Sequence, residues 1–89
     1  MKYLHLGNDT SIKTKNILGI FDLETTTVSK HTKNFLFNCE KENMIVNIKE
    51  YELPKSFIVY NFDGEYSVYI SNISSQTLVK RMSAGKDLL

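Results

Sequence analysis

The side chains able to do bond chemistry in this sequence are two histidines, His5 and His31, and one cysteine, Cys39. A thiol and an imidazole form a nucleophilic pair only within hydrogen-bond reach. His31 and Cys39 are eight residues apart on one helical stripe, which separates them by about 12 Å along the axis. No His, Cys, Asp and Glu grouping has the local spacing of a metal site. The acids, among them Asp9, Asp22, Glu24, Glu40, Glu42, Glu50, Glu52 and Glu65, are scattered, and no pair is placed for acid–base work. Gly7, Gly19, Gly64 and Gly85 are too far apart to cradle a phosphate in one loop. The residues therefore point away from an enzyme, and call for no metal and no cofactor. His31 reads as a packed helix residue and Cys39 as an inert small hydrophobe.

Basic residues tell more by position than by number. Lys13 and Lys15 precede an apolar strand, Lys49 and Lys55 flank a charged connection, and Lys80 and Arg81 close the last helical pattern. Lysines so placed suit phosphate contacts, which set affinity and not sequence choice. Ordinary solubilising surface is the commoner role of lysines so placed. With Arg81 the only arginine, bidentate reading of guanine is nearly absent. A second set is aromatic. Tyr60, Phe62 and Tyr69 share one face of a hairpin pattern with polar groups, and Phe37 falls on the outer side of a helical pattern. Stacking on unpaired bases is one use of such rings. A contact between subunits, or burial in the core, is favoured instead, because no basic residue lies between them in either strand.

The elements that must position these groups come from one small domain. The chain has 89 residues, 10.3 kDa and a formal net charge of +1. That is too short for two domains and too neutral for a protein that coats DNA by charge alone. We expect one domain over residues 1–82, with 83–89 a flexible C-terminal tail. One cysteine cannot make an internal disulfide. No apolar run is long enough to span a membrane, and residues 1–9 lack the apolar stretch of a signal peptide. The expected compartment is the cytoplasm.

Tyr3–Leu6 and Thr10–Thr14 read as short strands. In Asn16–Leu23 both alternating faces are apolar, which suits a strand buried on both sides. Glu24-Thr25-Thr26-Thr27 offers helix caps. Val28, His31, Thr32, Phe35, Leu36 and Cys39 then form one helical stripe running to about Glu42. Met44–Ile48 alternates as a strand. Ser56–Phe62 and Glu65–Ser71 flank Asp63-Gly64, whose two residues favour a tight turn with positive φ and set Phe62 opposite Glu65. The face with Phe57, Val59, Asn61, Tyr66, Val68 and Ile70 is the expected core. Ser74 or Ser75 caps a closing helix over Gln76–Met82. The order is β-β-β-α-β-β-β-α, an α+β domain with a small, mainly antiparallel sheet and two helices.

Four segments in this order carry a resemblance: Leu4-His5-Leu6-Gly7, Ile17-Leu18-Gly19-Ile20-Phe21-Asp22, Leu53-Pro54-Lys55-Ser56-Phe57, and Ser74-Ser75-Gln76-Thr77-Leu78-Val79-Lys80-Arg81. They resemble the small bacterial extracellular-matrix (biofilm) regulatory family of RemA and RemB proteins, closest to the RemB branch, from about Tyr3 to Met82. The resemblance implies a LytTR-like fold and a transcriptional regulator of matrix genes. It also implies a homo-oligomer in the form of a closed ring, with double-stranded DNA along a basic rim. The RemA branch carries arginines before the apolar strand and before the hairpin. Here those places read Lys13-Thr14-Lys15-Asn16 and Glu50-Tyr51-Glu52-Leu53-Pro54-Lys55. Lys13, Lys15, Asn16 and Lys55, with Lys80 and Arg81, are the expected phosphate contacts. Phe37, Tyr60, Phe62 and Tyr69 are the expected oligomer contacts. The missing arginines keep a second expectation open, an adaptor that binds no DNA and acts through a related regulator protein.

Overall fold

The computed structural model describes residues 2–23, 30–48 and 52–87. The expected helix caps at Glu24–Thr27, together with Val28, Lys49 and Glu50-Tyr51, lie outside the described residues. The order of elements is β1 (Tyr3–Gly7), β2 (Thr10–Lys13), a 3₁₀ turn (Thr14–Asn16), β3 (Ile17–Asp22), α1 (Lys30–Lys41), β4 (Ile45–Asn47), β5 (Ser56–Phe62), β6 (Glu65–Ser71) and α2 (Ser75–Asp87). The fold is α+β with the expected order of strands and helices. Among the described residues no helix is long and apolar enough to cross a membrane.

The described residues form two sheets. β1 and β2 form an antiparallel ribbon, and the larger sheet has the order β3-β5-β6-β4. In the ribbon Gly7 pairs with Thr10, so Asn8 and Asp9 alone make the turn, both with positive φ. This is the turn geometry that matches strand twist, built on Asn-Asp. The hairpin β5–β6 has the expected register, with Phe62 opposite Glu65 and Asp63 and Gly64 at φ of 53° and 85°. β4 runs parallel to its neighbour β6, and α1 supplies the connection that brings it there.

β3 departs from expectation. It is an edge strand with one face-changing irregularity. Ile17 pairs with Tyr60 and Gly19 with Val59, so Leu18 is an extra residue in the ladder. Such a bulge re-aims a side chain and bends an edge. Leu18 is left 61% exposed, and Ile17 and Ile20 both pack into the same core cluster. Strict alternation would have put them on opposite faces. Gly19 is needed for a close approach, but by its own neighbour: a Cβ there would lie 2.6 Å from the Phe21 ring. That ring stacks on Phe57 at 4.9 Å.

Both faces of the larger sheet are covered. On one face the ribbon and α2 bury Leu4, Leu6, Ile12, Ile48, Ile58, Tyr60 and Leu78. On the other, Cys39 from α1 packs with Phe57 and Val68, and Leu36, Met44, Val59 and Ile70 join them at the margin. The face of the hairpin expected to be core is therefore the smaller cluster. The face that looked mixed holds the larger one.

The ends of the helices follow from local chemistry. At the end of α1, Asn43 takes φ of 59°, its N–H donates to Glu40 O, and the Met44 N–H donates to Cys39 O. This is the two-bond left-handed cap, with Asn in the place glycine usually takes. Ser74 caps α2: its hydroxyl accepts from the Thr77 N–H at 3.2 Å and donates to Thr77 Oγ1 at 2.9 Å. The helix then continues past the expected end at Met82 to Asp87.

Two buried serines join the layers. Ser56 and Ser71 face each other across β5 and β6 and are fully buried. Ser71 Oγ donates to Leu6 O at 2.8 Å and accepts from the Ile73 N–H, and Ser56 Oγ donates to Ile73 O at 2.7 Å. They tie the end of β1 and the entry to α2 onto the sheet.

Candidate nucleic-acid interface

The basic turn is built from its backbone outward. β2 ends at Lys13, and one 3₁₀ turn over Thr14–Asn16 redirects the chain into β3. The Thr14 N–H donates to Lys2 O at 3.1 Å and its hydroxyl to the same oxygen at 3.3 Å, which anchors the turn to the start of the ribbon. The Tyr60 hydroxyl oxygen accepts from the Lys13 N–H and from Asn16 Nδ2, both at 3.4 Å. The phenol thus pins both ends of the turn to the larger sheet.

On this frame Lys15 is exposed and Lys13 is half-buried, its ammonium 5.3 Å from the centroid of the Phe62 ring. That distance is within cation–π range. Asn16 already spends an amide proton on Tyr60. Among the described residues the turn therefore offers Lys15 as a free-standing cation, Lys13 held against an aromatic ring, and the Asn16 amide fixed in place.

The other expected phosphate contacts lie elsewhere. Lys55 is exposed, and its carbonyl accepts from the Leu23 N–H at the far end of β3. Ile17 to Asp22 spans five strand steps, which puts Lys55 about 17 Å from the turn. Lys80 lines a groove with Ile20 and Val79, beside the middle of β3. Arg81 is exposed next to it on α2. A single chain thus gathers Lys13, Lys15 and Asn16 and leaves Lys55, Lys80 and Arg81 apart.

The expected oligomer contacts divide in the same way. Tyr60 is 8% exposed and belongs to the core, in an edge-to-face pair with Tyr69 at 5.7 Å. It has no open ring face for a base to stack on. Tyr69 is half-buried; burial and the neighbouring Tyr60 push its phenol above the ordinary tyrosine range. Phe62 is 53% exposed beneath Lys13. Phe37 is 63% exposed on α1, on the opposite side of the sheet, with the Lys41 ammonium 5.8 Å from its ring centroid. The two histidines are exposed, and Cys39 is buried with its thiol pushed up by burial first and then by Glu42.

The positioning role of Tyr60 was not visible in the sequence. Its alternation put it on a mixed face, and only the fold of the ribbon over that face explains its hydroxyl. Ser56 and Ser71 were likewise silent, since a serine in a strand is as often exposed as buried.

A family model described as RemA-like, Extracellular matrix regulatory protein A-like, matches residues 3–82. The chain belongs to the RemA-like family. The RemA-like chain is also 34% identical over 79 residues to Extracellular matrix regulatory protein B of Bacillus subtilis (strain 168), covering 89% of this chain and 88% of that protein. The matched span takes in the ribbon, the basic turn, both faces of the sheet and most of α2, so the likeness covers the whole arrangement described above.

Proposed function

We propose that this RemA-like protein is an oligomeric, DNA-associated transcriptional regulator of extracellular-matrix genes, working in the cytoplasm and touching mainly phosphates through lysines. The observation that carries this reading is the family match across residues 3–82, supported by a relative named as a matrix regulatory protein. The pinned turn with Lys13, Lys15 and Asn16 is the proposed centre of the contact. Few contacts per chain are compensated by repetition: several copies, each placing about two lysines on phosphate, give avidity and a steep salt dependence. A head-to-tail contact that closes into a ring would repeat the turn around one rim. Phe37 and Phe62, the exposed rings on opposite sides of the sheet, are its proposed anchors, with Tyr69 behind Phe62 and Tyr60 as support.

Light scattering of the native particle, followed by fluorescence anisotropy with duplex DNA at two salt concentrations, tests this. An oligomer that binds at low salt and releases as salt rises is the expected result. An oligomer that binds no duplex at low salt refutes it.

The separation of Lys55 from the basic turn, and the single arginine, favour one second reading: an adaptor that keeps the fold and acts through a related regulator protein. It predicts no duplex binding by the protein alone, and co-migration with an arginine-bearing relative.

A further inference from the structure

The ribbon and the β5–β6 hairpin enclose an open cleft of about 370 Å³, with Ser11 and Lys13 on one wall and Phe62, Glu65, Ser67 and Tyr69 on the other. This volume lies near the lower end of small-ligand sites, roughly 300–1,000 Å³. It carries one group of each charge, Lys13 and Glu65, on opposite walls. Lys13 Nζ rests over the Phe62 ring, and neither it nor the Glu65 carboxylate makes an ion pair among the described residues. The Ser11, Ser67 and Tyr69 hydroxyls have no hydrogen-bond partner among the described residues. Tyr60, at the floor and 8% exposed, accepts two hydrogen bonds, and its own proton has no acceptor there.

The charges select the ligand. A simple anion seated between the two walls would gain Lys13 but face Glu65, and a simple cation would meet the reverse. A net-neutral molecule with both an anionic and a cationic end satisfies both walls. Hydroxyl donors surround the place for the anion, and aromatic rings offer apolar surface to the remainder. We infer that the cleft binds a small zwitterion of the amino-acid class with an apolar or aromatic side chain, its carboxylate on Lys13 and the hydroxyls and its ammonium on Glu65. The inference does not depend on DNA binding, since the ligand is tested with no DNA present. Phe62 and Tyr69 also serve the proposed subunit contact, so a second copy seated in the cleft is the rival occupant.

The test is an NMR titration of the isotope-labelled chain with L-phenylalanine and, separately, with phenylacetate and phenethylamine, each of which carries one charged end. Saturable shifts of the amides around Ser11–Lys13 and Phe62–Ser67 are expected. L-phenylalanine should bind at least about tenfold more tightly than either half-molecule, the loss of one charge-assisted contact. Lys13→Met and Glu65→Gln should each weaken it by about the same factor, with the circular dichroism of both variants unchanged. The inference is overturned by no saturable shift at about 10 mM, by equal binding of all three probes, or by affinity indifferent to both substitutions.

Discussion

The two faces of the four-stranded sheet solve the same problem with different materials. Under the ribbon and α2, Leu4, Leu6, Ile58 and Leu78 are almost wholly inaccessible, and polar tips from Tyr60 and Ser71 are threaded through the layer on hydrogen bonds. Under α1 the contact is looser: Phe57 and Val68 are buried, but Phe21 and Phe35 remain about two-fifths exposed while packing around Phe57. The purer apolar pattern thus marks the less fully buried face. A strand face with tyrosines and serines can hold the principal core when its fully buried polar groups find partners, as Tyr60, Ser56 and Ser71 do, because a satisfied hydrogen bond removes most of the cost of burying it. The basic turn is attached to the more fully buried face, through Tyr60.

The widest separation between the faces should appear on truncation. Ile58→Ala or Leu78→Ala on the ribbon face should cost about 3–5 kcal/mol, and Leu36→Ala under α1 about half of that, measured by denaturant unfolding. Equal costs would erase the distinction. Next in size, Ser71→Ala should cost about 1–3 kcal/mol, because Leu6 O loses its donor and the Ile73 N–H its acceptor.

A bulge test comes third. Gly19→Ala should destabilise by about 1–2 kcal/mol, since the new Cβ meets the Phe21 ring. In a Phe21→Ala background the same change should cost clearly less. A double-mutant cycle with no coupling would mean the ring does not set the need for glycine.

The smallest effect is alkaline. A phenol whose folded-state pKa is raised binds its proton more tightly in the native chain. Tyr69 therefore contributes stability that is complete below its ordinary value of 10.0 and is lost as pH rises through the higher folded value. Tyr69→Phe should flatten the fall in unfolding free energy above that pH, and an unchanged fall would remove Tyr69 as its cause.

What was legible in the sequence was local. The Asp63-Gly64 turn fixes its register with two residues, and the Ser74 cap and the stripe ending in Cys39 need only neighbours a turn away. What escaped depends on distant partners. The parallel pairing of β4 with β6 is decided by where α1 packs, and the ribbon's cover over Tyr60 and Tyr69 joins segments almost fifty residues apart. The bulge at Leu18 hid in a segment whose residues are apolar on both sides, where a slip of one position leaves no trace in the pattern. The same limit applies to the site. Lys13, Lys15 and Asn16 are close in sequence and stay close in space, while Lys55 is carried to the other end of the sheet by an antiparallel strand.

We propose that the turn pinned by Tyr60 is the place where this RemA-like protein meets phosphate. The most direct measurement is duplex-DNA anisotropy against salt for the parent chain and for Lys13→Ala/Lys15→Ala, with the native mass of each confirmed. The double variant should remain the same oligomer, bind more weakly at low salt, and lose about two units of salt slope per engaged copy. Unchanged affinity and slope in an intact oligomer would contradict the claim.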